Sequence, residues 1–151
     1  MFTSRYLTAS PRETESVARD FAGRLKPGDV VALFGAMGAG KTRFVRGMAA
    51  GLGCTGEVSS PTFAIVHEYD GDIPLYHFDM YRISTWEDLY QTGFFDYLQA
   101  GNGVLAVEWS ENIENALPDN AIRVTISLPP DRTETDRIID IEDANHENTG
   151  D

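Results

Sequence analysis

The sequence predicts an α/β fold, a mixed sheet with a parallel core and antiparallel strands flanked by helices, on three observations. Two apolar runs lack any alternation, Val30-Val31-Ala32-Leu33-Phe34 and Val104-Leu105-Ala106-Val107, which is how strands covered on both faces of a parallel sheet read. The first run leads through a glycine-rich loop into Phe44, Val45, Met48, Ala49 and Leu52 at helical spacing, so 30–52 is strand, loop, helix. Segments 62–69 and 73–81 are strand-like and are separated by Asp70-Gly71-Asp72, turn chemistry that makes them an antiparallel hairpin.

The remaining elements follow in order. Ser10-Pro11-Arg12-Glu13 has a hydroxyl N-cap, proline at the first helical position and a glutamate able to bond back to the cap. A helix over about 11–25 follows, with Val17, Ala18, Phe21, Ala22 and Leu25 as its apolar stripe, and Pro27-Gly28-Asp29 breaks it. Gly53 and Gly56 end the second helix. Ser84 is the N-cap of a helix carrying Trp86, Leu89 and Tyr90, and beyond Gly93 the residues Phe94, Phe95, Tyr97 and Leu98 continue an aromatic-rich helical region expected to pack in the core. A short helix over about 111–116 stops before Pro118, and strands at about 121–128 and 135–142 flank a Pro-Pro-Asp loop. Residues 1–142 read as one domain and 143–151 as a polar, disordered tail.

Of the 151 residues, 42% are hydrophobic and 24% charged, the balance of a chain with a real core. No apolar segment has the length of a membrane span and none at the start resembles a signal peptide. The single cysteine, Cys54, has no disulfide partner within the chain, and a cytoplasmic setting is expected. Cys54 itself reads as inert. A net charge of −12 argues against unaided high-affinity binding to a nucleic-acid backbone. The charge is uneven: residues 1–46 hold eight of the 12 basic side chains and only four acidic ones, and no Lys or Arg occurs between Arg82 and Arg123.

Gly35-Ala36-Met37-Gly38-Ala39-Gly40-Lys41-Thr42 matches the phosphate-loop pattern at every fixed position, between a buried strand and a helix. In that context the backbone of Met37, Gly38, Ala39 and Gly40 curls round phosphates, Lys41 reaches the β/γ-phosphates, the Thr42 hydroxyl ligates Mg²⁺, and Arg43 opens the helix beside the nucleotide. ATP and Mg²⁺ are therefore the expected cofactors, and the fold is P-loop NTPase-like. Such a site also needs a carboxylate for the metal and a group to orient water. Asp79 and Glu108 both stand at strand ends, and the pattern leaves open which does which. Asn-Lys-x-Asp is missing, since the only lysines are Lys26 and Lys41, so guanine recognition by that route is excluded. A small-molecule kinase remains the alternative, although 83–122 lacks the basic residues of a kinase lid. A nucleotide-independent adaptor would leave the loop unexplained.

Four motifs in order, the P-loop, Ser60-Pro61-Thr62-Phe63, Tyr76-His77-Phe78-Asp79-Met80-Tyr81-Arg82 and Val107-Glu108-Trp109, resemble the bacterial TsaE (YjeE) P-loop ATPases over roughly residues 5–140. The resemblance implies a Mg²⁺-dependent ATPase of tRNA threonylcarbamoyladenosine (t6A) biosynthesis, acting on adenosine 37 with the TsaB and TsaD proteins and meeting tRNA through that complex. It implies a switch-like loop at Ser60 and Thr62, a magnesium or catalytic role for Asp79, and a role for Glu108 in holding magnesium and the attacking water, with Trp109 beside it. It also implies Ser10 and Thr14 near the adenine and a late arginine near the nucleotide. Arg132 and Arg137 are the candidates, and Arg137, opening a strand, fits better. Turnover alone should be slow, because no arginine finger lies next to the loop. His67 and His77 read as packed or half-exposed hairpin side chains rather than ligands.

Overall fold

The structure, a computed structural model, describes residues 2–35, 39–58, 66–130 and 135–143. In chain order these form β1 (Phe2–Thr8), α1 (Pro11–Ala22), β2 (Val30–Phe34), α2 (Lys41–Gly51), β3 (Cys54–Val58), β4 (Val66–Gly71), β5 (Leu75–Asp79), α3 (Trp86–Gln91), α4 (Phe94–Ala100), β6 (Val104–Glu108), a 3-10 helix (Ser110–Ala116), β7 (Ile122–Ser127) and β8 (Arg137–Asp143). The strands make one eight-stranded sheet in the order β1-β8-β7-β2-β6-β5-β4-β3. β7, β2, β6 and β5 run parallel, while β8 and β1 on one side and β4 and β3 on the other join by antiparallel pairing. The expected mixed sheet with a parallel centre is the fold observed. No helix among the described residues is long and apolar enough to cross a membrane.

Alternation along the strands sorts the core into two layers. Val31, Leu33, Leu75, Val104 and Ala106 meet α1 and α2, whereas Val30, Ala32, Tyr76, Phe78, Leu105 and Val107 meet α3, α4 and the 3-10 helix. The two long helices touch closely because Gly47 has no side chain: a Cβ there would lie 2.4 Å from the Glu15 carbonyl oxygen and 2.7 Å from the Ala18 methyl. Gly47→Ala is therefore expected to lower stability by about 1–3 kcal/mol, the usual cost of overfilling a packed contact. It should appear as a lower urea midpoint at unchanged slope. A wild-type midpoint would show that α1 can step away from α2 freely. On the outer side of this helix pair, Arg12, Arg19, Arg24 and Arg46 are exposed, so much of the basic excess of the first 46 residues lies on one layer.

Several boundaries differ from the sequence reading for local reasons. α1 ends at Ala22, because Arg24 and Leu25 donate to Phe21 and Ala22, three residues back, and the last turn tightens. Thr85 rather than Ser84 caps α3: its Oγ1 accepts from the Asp88 backbone N–H at 3.0 Å, while Ser84 bonds the Asp88 carboxylate. The segment over 110–116 is a 3-10 helix, interrupted at Ile113 by non-helical backbone. Trp86 and Tyr90 were expected in the core and are instead 54% and 65% exposed. α3 has only six residues and buries Leu89 alone, and Trp86 stacks outside against Phe95 at 6.3 Å. β8 extends through Asp143, which is buried, one residue past the expected end of the folded region. The rest of the expected tail lies outside the described residues.

Tyr97 of α4 ties the helix layer to the hairpin. Its hydroxyl donates to Glu68 Oε2 at 2.8 Å, and burial, then the hydrogen bond and charge of Glu68, push the phenol up to about 12 from an ordinary 10.0. A folded value above the unfolded one means that this contribution to stability is complete below pH 10 and disappears as pH rises toward 12. Melting temperatures at pH 9 and 11.5 should thus fall further for the wild type than for Tyr97→Phe. Parallel declines in the two proteins would refute the linkage.

Candidate nucleotide site

The chain leaves β2 through Gly35, whose φ of +138° lies in the region that favours glycine. A Cβ there would fall 2.4 Å from the Ile126 carbonyl oxygen of β7, so the loop is pressed against the sheet where it turns. The loop ends at Gly40, the N-cap of α2, which supplies no side chain to the first helical N–H groups. An uncapped start leaves those donors, and the positive end of the dipole, for an anion. Met37 and Gly38 lie outside the described residues, as do Ser60, Thr62 and Arg132.

Arg137, the first residue of β8, reaches across to the loop: its Nε donates to the Ala39 carbonyl at 2.8 Å. A cleft of 190 Å³ opens beside it, lined by Pro11, Thr14, Ala39, Gly40, Arg43, Thr135 and Arg137. Thr14 Oγ1 shares a hydrogen bond of 2.9 Å with Thr8 Oγ1. Ser10 does not line the cleft. It caps α1, its Oγ accepting from Glu13 N–H at 3.1 Å while the Glu13 carboxylate accepts from Ala9 N–H, the reciprocal arrangement its sequence predicts. Arg43 is paired with Glu15 at 2.7 Å, and Thr42 is exposed in the first turn of α2. A larger cleft, 240 Å³ between α3 and the 3-10 helix, touches none of Lys41, Asp79 or Glu108. Size alone therefore does not locate the chemistry.

Lys41 is only 5% exposed. Its Nζ donates to the Gly35 carbonyl at 2.8 Å and lies 4.8 Å from the Trp109 ring centroid, and no carboxylate among the described residues pairs with it. A buried ammonium held by one carbonyl and a π-face still has donors for an anionic ligand. Trp109 holds this position from a left-handed backbone (φ 60°, ψ 40°), a conformation that costs a non-glycine residue about 1–3 kcal/mol and persists only where the surroundings fix it. Its carbonyl accepts from the Asn112 N–H at 3.0 Å, and its ring packs against that of Tyr81, centroids 4.9 Å apart. Asn112 in turn fastens the Tyr81 turn by donating to the Met80 carbonyl at 2.8 Å.

The two acids come together through strand register. Asp79, last in β5, lies opposite Glu108, last in β6, and in a parallel pair such residues project to the same face, here that of α2. Asp79, exposed at the strand end, accepts from Tyr81 N–H through Oδ1 at 3.0 Å. Glu108 Oε2 meets His77 Nε2 at 2.6 Å. This contact was missed in the sequence, where His77 read as a packed hairpin residue. The available signal was spacing, since His77 and Asp79 are two apart on one strand and so share a face. For Glu108, burial is the largest single influence and raises its pKa, but the hydrogen bond to His77 and the fields of His77, Lys41 and His67 together outweigh it and hold the carboxyl below its ordinary 4.5. Glu108 is thus a carboxylate at neutral pH.

Among the described residues no three His, Cys, Asp or Glu side chains converge to hold a metal unaided. Thr42, Asp79 and Glu108 offer hard oxygen donors, with only two carboxylates, which is the set that Mg²⁺ uses when substrate phosphates and water complete its shell. The residues fit that ion and a nucleoside triphosphate together.

A family model described as Threonylcarbamoyl adenosine biosynthesis protein TsaE matches residues 8–138. The tRNA threonylcarbamoyladenosine biosynthesis protein TsaE of Bacillus subtilis (strain 168) is 46% identical over 129 residues, covering 84% of this chain and 79% of its own length. Its counterpart from Treponema pallidum (strain Nichols) is 40% identical over 107 residues, covering 71% and 78%. The crystal structure of YdiB from Bacillus subtilis matches with a TM-score of 0.75 at 38% identity, over 93% of this chain and 84% of that one. On this agreement of sequence and fold, the chain belongs to the TsaE family of tRNA threonylcarbamoyladenosine biosynthesis.

Proposed function

We propose that the chain is a Mg²⁺-dependent ATPase that serves t6A formation at adenosine 37 of tRNA in a cytoplasmic complex with TsaB and TsaD, meeting tRNA through those partners. One observation carries the enzymatic part: a buried Lys41 with no ion-pair partner among the described residues, at an uncapped helix start and roofed by the tryptophan that follows Glu108. Lys41 and the first N–H groups of α2 bind the phosphates, and Arg137 braces the loop through Ala39. Thr42, Asp79 and Glu108 would hold Mg²⁺, which when bound neutralises charge on the phosphate oxygens. The remaining carboxylate capacity of Glu108 orients the attacking water. Trp109, packed against Tyr81, covers Lys41 and shields its ammonium from solvent. Pro11, Thr14 and Arg43 line the cleft beside the loop, where the nucleoside would lie, and Ser10 acts there through the α1 cap. The switch-like role of Ser60 and Thr62 belongs to the same reading.

Phosphate release from ATP and Mg²⁺ tests the proposal. Slow release without any phosphorylated co-product is expected for the chain alone, rising when TsaB and TsaD are added, since a charge-stabilising group supplied by a partner is worth about 10³–10⁵ in rate. No release with or without the partners, or a phosphorylated small molecule as product, would overturn it.

A further inference from the structure

Glu108 does not stand free at its strand end. Asp79 lies opposite Glu108 and His77 opposite Ala106, so His77 and Glu108 are diagonal neighbours on one face of a parallel strand pair. Their side chains are 11% and 13% exposed and meet through Nε2 and Oε2 at 2.6 Å. A carboxylate oxygen is an acceptor, so in this bond the imidazole serves as donor in the tautomer that carries its hydrogen on Nε2. Among the described residues Glu108 Oε1 makes no hydrogen bond. His67 on β4 lies opposite His77, ring centroids 5.9 Å apart, and backs the imidazole from the far side.

We propose that His77 is a positioning residue for the Glu108 carboxylate: by bonding Oε2 it fixes the plane of the carboxylate and so the direction in which Oε1 faces the ligand side of the site. This rests on the ATPase reading above. A carboxylate pinned by one buried donor keeps a single rotamer, and that orientation matters when water and phosphorus approach, not when nucleotide first binds. Loss of His77 should therefore lower kcat and leave KM nearly unchanged, whereas a merely structural role would lower stability without that split.

The test compares His77→Leu, His77→Gln and His77→Asn in ATP hydrolysis by the full chain, with TsaB and TsaD present where they are needed for turnover. Glutamine can place its amide N–H near the Nε2 position. The shorter asparagine amide falls at the Nδ1 position, out of reach of Oε2. We expect kcat to fall about 10–100-fold in the Leu and Asn variants, the usual effect of removing a group that orients a metal-site ligand, with KM within about twofold, and glutamine to recover most of the rate. The Gln and Asn pair keeps the comparison decisive if the Leu variant does not fold. Independently of turnover, the ¹⁵N resonance of His77 Nε2 in nucleotide-free protein should move on Glu108→Gln. Equal kcat in the Gln and Asn variants, or an unmoved Nε2 resonance with wild-type hydrolysis intact, overturns the positioning role. Absence of hydrolysis in the wild type instead overturns the ATPase reading, and the positioning role with it.

Discussion

Lys41→Ala should abolish most of the thermal stabilisation that ATP or ADP with Mg²⁺ gives the wild type. A ligand at 100 times its Kd adds about 2.7 kcal/mol to the folded state, which for a domain of this size is a rise of about 5–10 °C. Lys41 is a buried cation at the loop, and among the described residues its ammonium bonds the Gly35 carbonyl and faces the Trp109 ring. Removing the ammonium takes the donor from the Gly35 carbonyl and one of the fields that hold Glu108 ionised, but His77 still pairs with Glu108, so the nucleotide-free variant should fold, and its own melting temperature is the reference for its ligand shift. The predicted loss is therefore specific to ligand. Differential scanning of both proteins with and without nucleotide measures it, and an equal shift in the two would remove the loop from the binding site.

What could be read in advance follows from which strands are buried on both faces. β2 and β6 lie in the parallel centre, and their uninterrupted apolar runs have no other easy reading. β1 and β3 are the two edges of the sheet. In β1 the side chains of Thr3, Arg5, Tyr6 and Leu7 are exposed, and the strand is held by its backbone ladder to β8 and by Arg5–Asp140 at 2.7 Å. Such a segment has no alternation to find, because its partner, not its own pattern, makes it a strand. β3 begins directly after Gly53 and contains Gly56, two glycines that read as the end of the second helix rather than as part of a strand. The candidate site divides in the same way. Lys41, Asp79 and Glu108 were legible because each stands at a fixed place at the end of a strand or the start of a helix. The His77–Glu108 and Lys41–Trp109 contacts were not, since each depends on register between strands or on one unusual backbone conformation.

Glu108→Ala should lower phosphate release by about 10²–10⁴-fold, the range for loss of a group that handles the attacking water, while nucleotide still raises the melting temperature. Asp79→Ala should also lower hydrolysis with the fold intact, because Asp79 is exposed and among the described residues its side chain bonds only the Tyr81 N–H of its own turn. The two can be separated by magnesium. A lost metal ligand raises the Mg²⁺ concentration needed for half-maximal rate, whereas a lost water-orienting group lowers the rate at saturating Mg²⁺. The pH dependence of the wild type adds a sign. Glu108 is held below its ordinary 4.5 despite burial, so it stays ionised as pH falls from 8 to 5 and contributes no acid limb to kcat in that window. Its contribution to folding stability is likewise complete above 4.5 and is lost only as pH drops through the lowered folded value. Replacing Glu108 should therefore flatten the acid end of the stability curve and leave stability near neutrality to be compared directly. Wild-type hydrolysis in both variants would place neither acid in the site, and a wild-type rate in Glu108→Ala alone would leave Asp79 as the remaining one of the two candidates.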